Sequence, residues 1–171
     1  MVSVEPATSR DVDALADRWV ELAEGQRSFG SHLLAAANRS QVRAALARSV
    51  VGDDLLVARD EESADSGASE PSGDAIVGFV MFTVESSYYD QDVTRGVVQN
   101  IHVDPDRRGG GVGTALLAAA ERALADRGVD IVALEVMADN EAARRFYRRR
   151  GYRPHRIELE KPVESDTLTK G

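Results

Sequence analysis

A chain of 171 residues that is 43% hydrophobic can fill one core but is short for two domains. Its net charge of -8 lacks the basic footprint of a nucleic-acid binder, and the absence of cysteine removes disulfides, thiolate metal sites and a cysteine nucleophile together. No apolar run approaches the ~20 residues of a membrane span, and "MVSVEPATSR" does not read as a secretion signal, so the expectation is a cytoplasmic protein, monomer or homodimer. His32, His102 and His155 show no ligand spacing, so no metal is expected. Only Lys161 and Lys170 among the 21 basic residues are lysine. That balance fits a halophile's acidic protein, and equally a GC-rich genome that favours Arg and Ala.

In chain order, Val2–Glu5 alternates as a strand, and Ser9 caps a helix from about Arg10 to Ala23 with Val12, Leu15, Trp19 and Leu22 on one face. A second helix is predicted over Ser31–Val50, then a strand over 54–59. Residues 60–73, "DEESADSGASEPSG", are acidic and aperiodic and read as a mobile, solvated hairpin loop, because strand pattern resumes at once in "AIVGFVMFTVE". "GVVQNIHV" (96–103) is a strand stopped by Asp104-Pro105. A helix follows over Val112–Asp126 and ends at Gly128. "DIVALEVM" (130–137) is a strand, "NEAARRFYRRR" (140–150) a helix, "RIELEK" (156–161) a last strand, and 162–171 a tail. The order β-α-α-β-β-β-α-β-α-β predicts an α/β fold with a mixed central sheet.

Between strand and helix lies "RRGGGVG", Arg107 to Gly113. A glycine turn at a helix N-terminus makes an anion site: unpaired N–H groups and the positive end of the helix dipole face it, and the missing Cβ atoms admit a phosphate. Arg107 and Arg108 can add charge-assisted bonds. The plain alternative is a tight turn in which glycine only relieves strain. A nucleoside-triphosphate loop needs Lys after its last glycine, where Thr114 stands. A dinucleotide fingerprint fails on spacing, since the third glycine position falls on Thr114 or Leu116.

What remains is Arg-x-x-Gly-x-Gly, carried by Arg108, Gly111 and Gly113 after Val103-Asp104-Pro105. Here the chain closely resembles the GNAT superfamily of acyl-CoA-dependent N-acetyltransferases. "NEAARRFYRRRGY" resembles a second family element, in which Asn opens a helix, Tyr follows seven residues later, and Gly-Tyr closes the segment. The resemblance covers residues 2 to about 161 and implies one acetyltransferase domain over 1–161, with a mostly antiparallel sheet of about six to seven strands flanked by helices.

It also implies roles. The loop Arg107, Arg108, Gly109, Gly110, Gly111, Val112, Gly113 and Thr114 would hold the pyrophosphate of acetyl-CoA, the sole cosubstrate implied. The pantetheine arm would lie along Ile101, His102 and Val103 like an added strand, bonding the Ile101 N–H through its thioester oxygen. His102 would contribute backbone only, as an exposed strand histidine. Asn140 would anchor the pantetheine, and Tyr147, two helical turns on, would bind alongside and protonate the leaving sulfur. For the base, the pantetheine strand carries no acid. Glu135 stands twelve residues before Tyr147, as in bacterial members that acetylate a ribosomal-protein N-terminus, and alternates with Leu134 and Val136; a water chain is the alternative. The function implied is acetyl transfer to a primary amine, with a non-catalytic acyl-CoA-binding or sensor domain as the rival. Segments 24–32, 85–93 and the stretch after Tyr152 would line the acceptor site, where Glu85, Asp90 and Asp92 would favour a cation.

Overall fold

A computed structural model describes residues 1–62 and 75–163. Most of the 60–73 loop and of the 162–171 tail lies outside the described residues. The chain forms two compact units, Met1–Asp139 and a second beginning at Asn140.

The first unit is built on a five-stranded sheet in the order β1 (Val2–Pro6), β2 (Leu55–Asp60), β3 (Ile76–Val84), β4 (Arg95–Val103) and β5 (Ile131–Leu134). Neighbours run antiparallel except β4 and β5, which are parallel. The sheet is thus mixed and mostly antiparallel, but with five strands among the described residues rather than six or seven. Residues 156–161 form no strand. Ile157 and Leu159 alternate as expected yet stand exposed, because alternation marks the face a strand would bury and does not supply the ladder that makes it a strand.

α1 (Val12–Arg27) and α2 (Arg39–Val51) cover one face, and α3 (Val112–Asp126) packs on β3 and β4. The α1/α2 core joins Leu15, Trp19, Leu46, Val57, Phe79 and Met81. α1 enters through a 3-10 turn over Ser9–Asp11 that replaces the expected Ser9 cap. The Asp11 carboxylate accepts the Thr8 N–H at 2.8 Å and holds buried Arg59. α2 begins at Arg39, later than expected, after a 3-10 turn over Ala36–Asn38. On the α3 side the sheet leaves no room at Gly78, where a Cβ would meet the His102 carbonyl oxygen at 2.6 Å. No helix among the described residues is long and apolar enough to cross a membrane.

In the second unit, α4 (Glu141–Arg149) follows Asn140.

Candidate active site

Two irregularities in β4 fall at the same place. Its pairing with β5 runs from Arg95↔Ile131 to Val98↔Leu134 and stops there, although β4 continues to Val103. Against β3, Phe82 pairs with Val98 and Met81 with Asn100, so Gln99 is an extra residue, a β-bulge. A bulge bends and twists its strand, which carries β4 away from β5. From Gln99 to Val103, β4 keeps β3 on one side, and no strand among the described residues pairs with the other. That edge offers a row of backbone donors and acceptors to an extended ligand.

The edge leads directly into the glycine loop. A 3-10 turn over Pro105–Arg107 is followed by exposed Gly109 and Gly111 at φ +79° and +88°, a left-handed backbone that side chains rarely adopt. Gly111 is the N-cap of α3 and has no side chain to cap it, so the first-turn N–H groups and the helix dipole face the loop. Arg108 is exposed and donates through Nε to the Val103 carbonyl at 3.1 Å. Arg107 turns to Asp60 at the end of β2, and the two form an ion pair. Loop and edge together fit an elongated ligand with an anionic end and an amide-bearing arm.

Glu135 is not a strand residue: β5 ends at Leu134, and Glu135 stands exposed just past the last β4–β5 pair. Its alternation with Leu134 and Val136 therefore does not fix a sheet face. It does lie at the point where the strands part.

His102 is buried, 3% exposed, which corrects the exposed strand histidine of the sequence reading. The bulge sets which face it takes: His102 pairs with Phe79 on the α1/α2 face, and its ring lies 6.0 Å from that phenyl ring. Neither ring nitrogen has a hydrogen-bond partner within 3.5 Å of good geometry among the described residues. Nε2 lies 3.5 Å from Asp104 and 3.7 Å from Glu21. These three residues offer ligand atoms within 4.8 Å of one another, but Arg18 already grips both oxygens of Asp104, at 3.1 and 3.2 Å. Burial pushes the His102 imidazole below its ordinary value of 6.5, Asp104 pulls it up, and Arg108 and Arg18 push it down. With the folded value lowered, the unfolded chain takes up a proton first, so stability falls as pH drops through about 6.5. Wild type should therefore lose more unfolding free energy than His102→Gln between pH 7.5 and 5.5 in urea titrations. Equal losses would show that His102 protonates as readily folded as unfolded.

In the second unit the Asn140 side chain accepts the Ala143 N–H at 3.2 Å, an N-cap that starts α4. Tyr147 is half-buried, with its ring 5.3 Å from Phe146 and 5.9 Å from Tyr152, both edge-on. Burial pushes its hydroxyl up to about 12. The arginines of α4 are exposed; Arg145 meets Glu141 at 3.8 Å, and Arg150 lies over the Phe146 ring.

Sequence reasoning missed the bulge and a cleft of about 280 Å³ between α2 and the β3–β4 surface, beside Gln99. No local signal gives either, because both depend on which residue of one strand faces which of another.

Residues 48–152, more than half of the chain, match the acetyltransferase (GNAT) family. The mycothiol acetyltransferase of Clavibacter michiganensis is 36% identical over 106 residues, 62% of this chain and 29% of that protein. The mycothiol acetyltransferase of Kocuria rhizophila is 35% identical over 91 residues, 53% and 30% of the two chains. The chain thus spans less than a third of the length of these curated relatives. Among solved structures, the BH1408 protein of Bacillus halodurans superposes with a TM-score of 0.77 at 20% identity, covering 95% of this chain and 99% of that one, which shows a shared fold.

Proposed function

Because the chain belongs to the acetyltransferase (GNAT) family, we propose that it moves an acetyl group from acetyl-CoA to a primary amine by direct attack. The observation that carries this is the β4 edge from Gln99 to Val103, unpaired among the described residues, running into a left-handed glycine loop at a helix N-terminus with no side-chain cap. A non-catalytic acyl-CoA-binding domain could use the same edge and loop, and Tyr147 favours turnover over that rival.

In this reading the N–H groups of Gly109–Thr114 and the Arg108 guanidinium hold the pyrophosphate, and Ile101, His102 and Val103 hold the pantetheine arm through their backbone. Asn140 steadies the arm, while its carboxamide oxygen also caps α4. Bound acetyl-CoA supplies the activated acyl group. The chain supplies position, a proton acceptor for the amine and a proton at Tyr147 Oη for the departing sulfur. With no cysteine in the chain, an acyl-enzyme on a cysteine sulfur is closed to it.

The test is CoA release from acetyl-CoA across a panel of amines. Amine-dependent release is expected; tight acetyl-CoA binding without release from any amine would leave the chain a binding domain.

Glu135 carries the proposal for the base. An amine of pKa about 10.4 is almost wholly protonated at neutral pH, so proton acceptance should govern the acid limb of the rate profile. Glu135→Gln keeps size and hydrogen bonding but cannot take a proton. The expected result is a fall in kcat/KM of about 10²-fold near pH 7, partly recovered at high pH where free amine is abundant. A full rate with an unchanged profile assigns proton removal to a water chain instead.

A further inference from the structure

We infer that the cleft between α2 and the β3–β4 surface seats the amine acceptor, and that Arg48 selects amines carrying an acidic group, carboxylate or phosphate. The inference rests on the acetyltransferase reading and adds the acceptor's class to it.

Position is the first argument. The cleft is lined by Arg48 and Ser49 of α2, Asp54 after it, Met81 and Thr83 of β3, and the bulge residue Gln99. Gln99 stands two residues from Ile101, about 7 Å along the strand, at the point where β4 leaves β5. An acceptor in the cleft thus stands beside the same strand, two residues from the backbone proposed to hold the acyl group. The cleft also sits on the α1/α2 side of the sheet, whereas α3 packs at Gly78 and Gly96 on the other side.

Charge is the second. Asp54 is already neutralised: Arg127 ion-pairs with its carboxylate, donates to the Asp53 carbonyl at 2.8 Å and lies over the Phe82 ring. Ser49, Thr83 and Gln99 are neutral hydrogen-bonding groups. α2 carries three arginines. Arg39 pairs with Asp17 at 2.8 Å and Arg43 with Asp13 at 2.6 Å, while Arg48 has no ion pair among the described residues. In a chain of net charge -8, this cleft is therefore locally positive. A guanidinium with no partner matches a carboxylate or phosphate as a fork of donors. It repels the second ammonium of a polyamine.

Size is the third. About 280 Å³ is at the small end of ligand sites and suits an acceptor of amino-acid dimensions, or the end of a larger one. The acids Glu85, Asp90 and Asp92, read from sequence as favouring a cation, do not line this cleft, and Glu85 faces Arg95 at 3.4 Å.

The test compares matched acceptors: phosphoethanolamine with ethanolamine, β-alanine with propylamine, and a polyamine. Wild type should prefer the acid-bearing member of each pair by about tenfold or more in kcat/KM, the weight of one charge-assisted hydrogen bond. The two pairs separate phosphate from carboxylate as the preferred acid. Arg48→Gln should collapse the preference to about unity through KM, and Arg48→Lys should restore part of it. A binding readout runs beside turnover: phosphoethanolamine and β-alanine should shift the backbone amide resonances of Gln99 and Thr83 in wild type and not in Arg48→Gln. Amine-dependent CoA release with no acid preference, an equal loss for all amines in Arg48→Gln, or a preferred polyamine would overturn the inference while leaving the acetyltransferase reading intact. Arg48-dependent shifts at Gln99 and Thr83 without CoA release from any amine would support the site and sink the acetyltransferase reading.

Discussion

Tyr147→Phe should lower kcat by about 10²-fold, the loss expected when a positioned proton donor is removed, while acetyl-CoA affinity changes little because the ring still packs. The environment of Tyr147 sharpens this. Burial raises its hydroxyl to about 12, so Oη keeps its proton across the working range of pH. The same shift makes full release of that proton costly, since a thiol ionises near 8.5. Tyr147 should therefore act by donating a hydrogen bond to the sulfur as charge develops, with complete transfer late. One consequence is measurable: Tyr147 should impose no alkaline limb on the wild-type rate profile below about pH 10. A Phe variant with wild-type kcat would remove Tyr147 from the mechanism.

The second large effect is expected in the glycine loop. Gly111→Val and Gly113→Val should each weaken acetyl-CoA by more than tenfold, or about 1.4 kcal/mol, by calorimetry. They act differently. Gly111 has φ +88°, where a β-branched residue is strained, so valine there displaces the loop itself. Gly113 lies in the first turn of α3 with no left-handed requirement, so its valine tests the approach of the ligand more directly. Gly110→Ala tests the approach of the ligand with the loop undisturbed: its backbone is ordinary, and a Cβ would lie 3.5 Å from the Arg107 carbonyl oxygen, a normal contact. Arg108→Gln should cost less than either valine, because the backbone donors remain. Unchanged affinity in both valine variants would move the anion site away from this loop.

Legibility from sequence followed the range of the interaction. α3 spans Val112–Asp126, the range read from its pattern, because its limits are local: glycines at its entrance and Gly128, at φ +83°, past its end. The glycine loop and the Asn140 and Tyr147 pattern were legible for the same reason. β4 was legible as a strand, but the facing of His102 was not. Its facing follows from the bulge at Gln99, which exists only in the register against β3. β5 is shorter than its pattern, because the alternation runs on through Val136 while the ladder stops at Leu134. The Arg18–Asp104 pair joins residues 86 positions apart, and the Arg48 cleft joins α2 to two strands. Neither leaves a local trace.

The stretch of β4 that is unpaired among the described residues also has a length. From Gln99 to Val103 the strand advances about 13 Å, with the glycine loop at one end and the parting of the sheet at the other. If the loop fixes the donor's anionic end, this stretch works as a ruler that sets how deep the reacting carbon travels. Acyl donors with the same nucleotide but a shorter arm would dock and stop short of the amine. Donors with the thioester but no nucleotide would reach it without being held in register. The protein would thus reject both by geometry alone, whatever their chemical reactivity.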